Sequence, residues 1–196
     1  VSILLPLQES SIRSLRGINR KTIVNIVLFL SLVVLPIIFY SINPLFLSWV
    51  NLVSLEKTVA FLLIVTMGET FVILLGSVDL SIGAVVSLTS IVVAFTITEP
   101  YIGLLAGLLG LVVGTACGLG SGLVLTQLKL PSFLTTLGFI FVADGISWTI
   151  SGGFGRVYVN EAFSWISSGF IVPEVPNVIL ISIVVFVISI YVAFRT

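Results

Sequence analysis

Two carboxylates, Glu69 and Asp79, lie within residues 68–83, a stretch that is otherwise almost wholly apolar. Thr70, Ser77 and Ser81 add hydroxyls there, and Gly68, Gly76 and Gly83 loosen the backbone. A third acid, Asp144, sits in a later apolar run beside Gly145. A charged side chain at the centre of a membrane-spanning helix costs about 2.5–3.5 kcal/mol on insertion scales, so such residues are usually retained for a purpose. The chemistry open to them is hydrogen bonding to a polar solute, proton relay, or tying two helices together. Hydrolysis is not supported. On one continuous helix, ten residues would separate Glu69 and Asp79 by about 15 Å along the axis and about 80° around it, too far for an acid/base dyad.

Each acid has a second reading. Glu69 either lines a pathway or bonds hydroxyl and backbone groups of a neighbouring helix. Asp79 precedes an apolar run with Ser81 two residues on. A short acid there suits the free N–H groups and positive end of a helix, and this cap reading is set ahead of direct solute contact. Asp144 is open between a pathway role and a structural hydrogen bond. Thr135 and Thr136, just after Pro131 and Ser132, complete the candidate polar set.

The elements that must carry these residues follow from composition. Of 196 residues, 58% are hydrophobic and 8% charged, and mean hydropathy is +1.32. Soluble domains carry about 25% charged residues, so the chain reads as an all-α, polytopic transmembrane helix bundle. About six spans are expected, near residues 22–42, 57–76, 81–98, 101–128, 132–151 and 178–194. The second and third are separated only by residues 77–81, which predicts a tight turn or a re-entrant break covered by protein. Residues 152–177 form the one long loop, with a short amphipathic helix on the membrane around residues 161–168.

Arg13, Arg16, Arg20 and Lys21 precede the first span, and counting spans puts Lys129 and Arg195 on the same side. That is the positive-inside pattern with a cytoplasmic N-terminus. Residues 1–21 then form a basic cytoplasmic segment and residues 22–196 the membrane domain. The first apolar run is longer than a cleavable signal core. Zero net charge gives no field for nucleic acid, and the lack of histidine removes Ser-His and Cys-His catalysis and His-metal sites. Cys117, the single cysteine, reads as a small packing residue. Gly110, Gly114, Gly118 and Gly122 recur every four residues, a spacing that lets helix backbones approach closely.

The segments Gly68-Glu69-Thr70-Phe71-Val72-Ile73 and Val78-Asp79-Leu80-Ser81-Ile82-Gly83 resemble the signature of membrane subunits of monosaccharide ABC importers, the ribose, xylose and galactose permease family. Leu130-Pro131-Ser132-Phe133-Leu134-Thr135-Thr136-Leu137-Gly138 resembles that family's second marker, and Asn43-Pro44-Leu45-Phe46 also fits. The resemblance runs from about residue 22 to the end. Asp144 departs from it, since the family often has arginine before that glycine.

The resemblance implies a pore subunit of an ATP-driven importer, without catalytic residues of its own. It implies two cytoplasmic ATPase subunits that hold ATP and Mg, an extracellular or periplasmic sugar-binding protein, and a second permease subunit, identical or paralogous. The setting is a prokaryotic plasma membrane, and no cofactor is bound directly. Glu69, Thr70, Asp79, Ser81, Thr135, Thr136 and Asp144 are the candidate pathway residues. The chain starts at Val1 and stops after Arg195-Thr196, where the family's cytoplasmic loop is expected, so a shortened chain is expected. The alternatives are a proton-coupled secondary transporter using Glu69 and Asp144, and a non-transporting membrane fragment.

Overall fold

The computed structural model describes residues 20–98, 102–103, 105–155 and 160–195. Arg13, Arg16, Glu99, Pro100, Tyr101, Arg156 and Tyr158, on which parts of the orientation and loop readings rest, lie outside the described residues. The chain divides into two units at residue 52.

In the first unit, helix α1 covers Arg20–Ile42. Its 23 residues give about 34 Å, enough to cross a hydrocarbon core of about 30 Å. It is apolar on all sides and none of its window is buried, as expected of a lipid-facing helix. The hydroxyls of Ser31 and Ser41 donate to Leu28 O and Ile37 O within the helix. A 3-10 turn, Pro44–Leu47, follows. Asn43 Oδ1 caps it by accepting from Leu45 N at 3.0 Å, and Asn51 Nδ2 donates to Phe46 O at 2.6 Å.

In the second unit, α2 (Trp49–Leu74) starts before the division and runs through Glu56 and Lys57. The helix begins eight residues before the start expected near residue 57. The later helices are α3 (Ile82–Thr96), α4 (Leu105–Leu128), α5 (Ser132–Ser151), α6 (Glu161–Ser168) and α7 (Asn177–Arg195). Among the described residues, five helices, α1, α2, α4, α5 and α7, are long and apolar enough to cross a membrane. The third expected span, near residues 81–98, is the 15-residue α3. It is about 22 Å long, so it falls short of the hydrocarbon core as a helix.

The short α3 is nonetheless the packing centre, with α4 on one side and α5 on the other. Ala84 and Leu88 of α3 and Ala143 of α5 form its buried core, bordered by Val92, Val113, Cys117 and Ile140. Small residues decide the α3–α4 approach. A Cβ on Gly110 would lie 2.7 Å from Val93 Cγ2, and one on Gly114 would lie 3.5 Å from Thr89 Cγ2. The same stripe opens further along: nothing lies within 4 Å of a Cβ built on Gly118 or Gly122.

The loop holds more structure than its sequence announced. The helix expected over residues 161–168 is present as α6, capped by Asn160 Oδ1, which accepts from Phe163 N at 3.1 Å. A two-stranded antiparallel hairpin follows, Phe170–Val172 with Val175–Pro176. Its turn places Glu174 at φ 68°, directly after Pro173. Branched residues flanking Pro-Glu were the available signal for this hairpin.

Candidate functional site

The break after α2 is built by the backbone. Gly76 takes φ 73°, a left-handed conformation that costs a Cβ-bearing residue about 1 kcal/mol or more. That conformation lets Gly76 N donate to Ile73 O at 2.9 Å and Ser77 N to Val72 O at 3.1 Å. The pair forms a Schellman motif, which satisfies carbonyls a helix end would otherwise leave bare. Residues 77–81 are non-helical and lead into α3.

Asp79 works inside this segment. Its Oδ1 accepts from Ser81 N at 2.7 Å and from Ser81 Oγ at 2.6 Å. Ser81, 3% exposed, is the residue that precedes the first turn of α3, and its own side chain makes no cap bond to the helix. The cap expected of Asp79 therefore takes another form. Asp79 stands two residues before the cap position, Ser81, and instead of bonding N–H groups inside α3 it fixes the residue on which the helix starts. Across the bundle, Val78 N donates to Ser132 Oγ at 3.2 Å, tying the break to the first residue of α5.

A cavity of about 300 Å³ opens beside that tie. Ser77 and Asp79 line it from the break, Ser121 and Gly122 from α4, and Thr135 and Thr136 from α5. The hydroxyls of Thr135 and Thr136 are turned back onto their own helix, donating to Pro131 O and Ser132 O. None of the lining residues is basic. The open glycines thus border the cavity at this end of α4, where close packing was expected along the whole stripe.

The other sequence-nominated residues stand apart from the cavity lining. Glu69 is half-buried on α2, and its Oε2 is enclosed with no hydrogen-bond partner among the described residues. Thr70 is exposed and donates to Thr66 O at 2.7 Å. Asp144 is half-buried in the middle of α5, about 12 Å along the axis from Thr136. The acids Glu69, Asp79 and Asp144 are therefore not gathered into one cavity.

A larger, open-sided cavity of about 700 Å³ lies along the first half of α4, between α3, α4 and α6. Thr89, Ser90, Thr115, Asn160, Ser164 and Ser167 give it hydroxyl and amide lining. The smaller cavity uses residues 118–125 of the same helix. The apolar core around Leu88, Val113 and Cys117 sits at the changeover. Ser121 and Asn160 carry little signal in the chain's pattern, because single hydroxyls and amides are common residues there.

A model of the family described as branched-chain amino acid transport system / permease component matches residues 51–196. A probable ABC transporter permease protein, y4mJ, from Sinorhizobium fredii is 33% identical over 145 residues, 74% of this chain and 43% of that protein. The ribose import permease protein RbsC of Bacillus subtilis is 36% identical over 125 residues, 64% of this chain and 39% of that protein. The fructose import permease protein FrcC of Rhizobium meliloti is 36% identical over 114 residues, 58% of this chain and 31% of that protein. The chain spans less than half the length of each of these relatives. No solved structure matches it.

Proposed function

We propose that this chain, which belongs to the branched-chain amino acid transport system / permease component family and is an all-α, multi-pass protein of the plasma membrane, lines the translocation path of an ATP-driven importer for a monosaccharide. The observation that carries the reading is the cavity at the helix break, where Asp79, Ser121, Thr135 and Thr136 meet beside open glycines. Non-helical polar backbone between two helices, lining a cavity, is how many transporters build a solute path. The lining suits a neutral, hydroxyl-bearing solute. It offers donors and acceptors, and it lacks a basic side chain to neutralise an amino acid's carboxylate. Two of the similar proteins are named for ribose and fructose import.

On the positive-inside orientation, the smaller cavity faces the cytoplasmic end, beside Lys129, and the larger one the outer end. ATP and Mg sit on separate cytoplasmic ATPase subunits, a sugar-binding protein delivers the solute from outside, and a second permease subunit completes the pore. Residues 1–21 are the cytoplasmic leader.

In the intact transporter, Asp79→Asn and Glu69→Gln should each lower sugar uptake while the protein stays in the membrane. Wild-type uptake in both would sink the pathway assignment. One observation favours a second reading, proton coupling: Glu69 Oε2 is enclosed without a partner among the described residues. That reading requires uptake to collapse with a protonophore and to ignore ATP depletion.

A further inference from the structure

The helix α6 is turned inside out compared with a surface helix of a soluble protein. Asn160, Ser164 and Ser167, on its hydroxyl and amide face, border the larger cavity toward the bundle. Trp165 and Ile166, on the other side, are exposed, Trp165 by 54%. Phe163 joins the inward face, with its ring 3.2 Å from where a Cβ on Gly107 would stand. The hairpin continues the exposed apolar ridge through Phe170, Ile171 and Val172, with Ile171 65% exposed. A contiguous apolar ridge on the outside of a protein marks a surface that meets another phase or partner.

What fixes the depth of that ridge is Asn177, the first residue of α7, itself 3% exposed. Its Oδ1 accepts from Ile171 N at 2.7 Å. Its Nδ2 donates to Trp165 O at 2.9 Å, and its backbone N donates to Gly169 O at 2.8 Å. One buried amide thus bolts the end of α6 and the hairpin to the start of a spanning helix. The 19 residues of α7 give about 28 Å, so its first residue lies at the edge of the hydrocarbon core. On α7, Ile181, Ile183 and Val184 are exposed as well.

We propose that α6 and the hairpin form an interfacial foot seated in the lipid at the boundary of one leaflet, with Trp165 and Ile171 as its anchors and its hydroxyl face roofing the larger cavity. Trp favours the headgroup level of a bilayer, and amphipathic helices bury their apolar face at the same depth. The charged residues between 160 and 177 are Glu161 and Glu174 only. A foot without basic residues gains nothing from anionic headgroups, so its partner is zwitterionic lipid.

The test uses the intact transporter in nanodiscs of phosphatidylcholine carrying bromines at shallow or deep acyl positions. Subtracting the emission of Trp165→Phe from that of the parent isolates Trp165. Its emission should fall at least twofold with shallow bromines, less with deep ones, and equally with or without added phosphatidylglycerol. Emission quenched by aqueous acrylamide but not by brominated lipid would overturn the proposal, as would emission quenched by neither, the mark of a protein partner. A spin label at Ile171→Cys gives a second reading that does not depend on removing the tryptophan. Collision with oxygen should exceed collision with a water-soluble nickel complex, and the reverse order would also overturn the proposal.

Discussion

Replacing Asp79 by alanine should loosen the start of α3 before it affects anything else. The substitution removes the acceptor of two short bonds, 2.7 Å from Ser81 N and 2.6 Å from Ser81 Oγ. Both donors belong to a residue that is 3% exposed, so water does not readily replace the lost oxygen. Hydrogen bonds to a charged group contribute about 1.5–3 kcal/mol each. Asp79 itself is only half-buried, so the lower end applies, and the two together come to about 3 kcal/mol. For a chain of this size, each kcal/mol moves the thermal midpoint by about 2–4 °C. For a unit of 196 residues that is a fall on the order of 6–12 °C in Asp79→Ala, and the midpoint of the larger intact transporter in detergent should fall by a smaller, measurable amount. Asp79→Asn keeps a carbonyl acceptor but no charge, and should lose about half as much. Ser81→Ala, which forfeits only the Oγ bond, should lose less than Asp79→Ala. Amide exchange at residues 81–85 should quicken in the same order. An unchanged midpoint and unchanged exchange in Asp79→Ala would show that the Asp79–Ser81 pair does not hold the break.

The glycine stripe of α4 separates two expectations. Gly110→Ala pushes a methyl into Val93 and should destabilise the transporter by about 1–3 kcal/mol, an ordinary cost of overpacking, read as a lower midpoint. Gly118→Ala meets open space, so the midpoint should hold while sugar uptake slows because the lining narrows; equal midpoints for the two variants would refute the distinction. Gly76→Ala forces a Cβ into φ 73° and should cost about 1–2 kcal/mol, visible as faster amide exchange at Ser77, whose N–H closes the Schellman motif. Ser132→Ala removes the acceptor for Val78 N and should speed exchange at Val78 while leaving that of Gly76 unchanged.

The spans near residues 22–42, 132–151 and 178–194 were legible because a uniform apolar run of spanning length has one outcome in a bilayer. The fifth span matches Ser132–Ser151 at both ends, since Pro131 and Gly152 punctuate it. Helix α2 begins earlier than expected, at Trp49, and holds Glu56 and Lys57 in its opening turns, since a helix end at the membrane surface tolerates charges. The span expected over residues 81–98 and α3 (Ile82–Thr96) differ by one residue at the start and two at the end, where Ile97 is apolar yet lies past the last helical residue. The site was legible in its sequence-local parts, the Asp79–Ser81 pair and the neighbours Thr135 and Thr136. The meeting of the break with the first turn of α5 depends on Ser132, a contact across 54 residues that spacing along the chain does not encode. The role of Asn177 was hidden for the same reason. Its three bonds join a helix end, a hairpin and a span that the sequence shows only as one aromatic loop.

The most direct test of the proposed function is the energy source of transport. The complete transporter, purified through a tag on this chain with whatever subunits accompany it, would be reconstituted into proteoliposomes and supplied with labelled ribose, fructose or xylose and the co-purifying binding protein. Uptake that requires ATP on the ATPase side and persists with a protonophore is expected. Uptake that ignores ATP and collapses with the protonophore, or no uptake of any monosaccharide by a folded complex, would contradict an ATP-driven sugar permease.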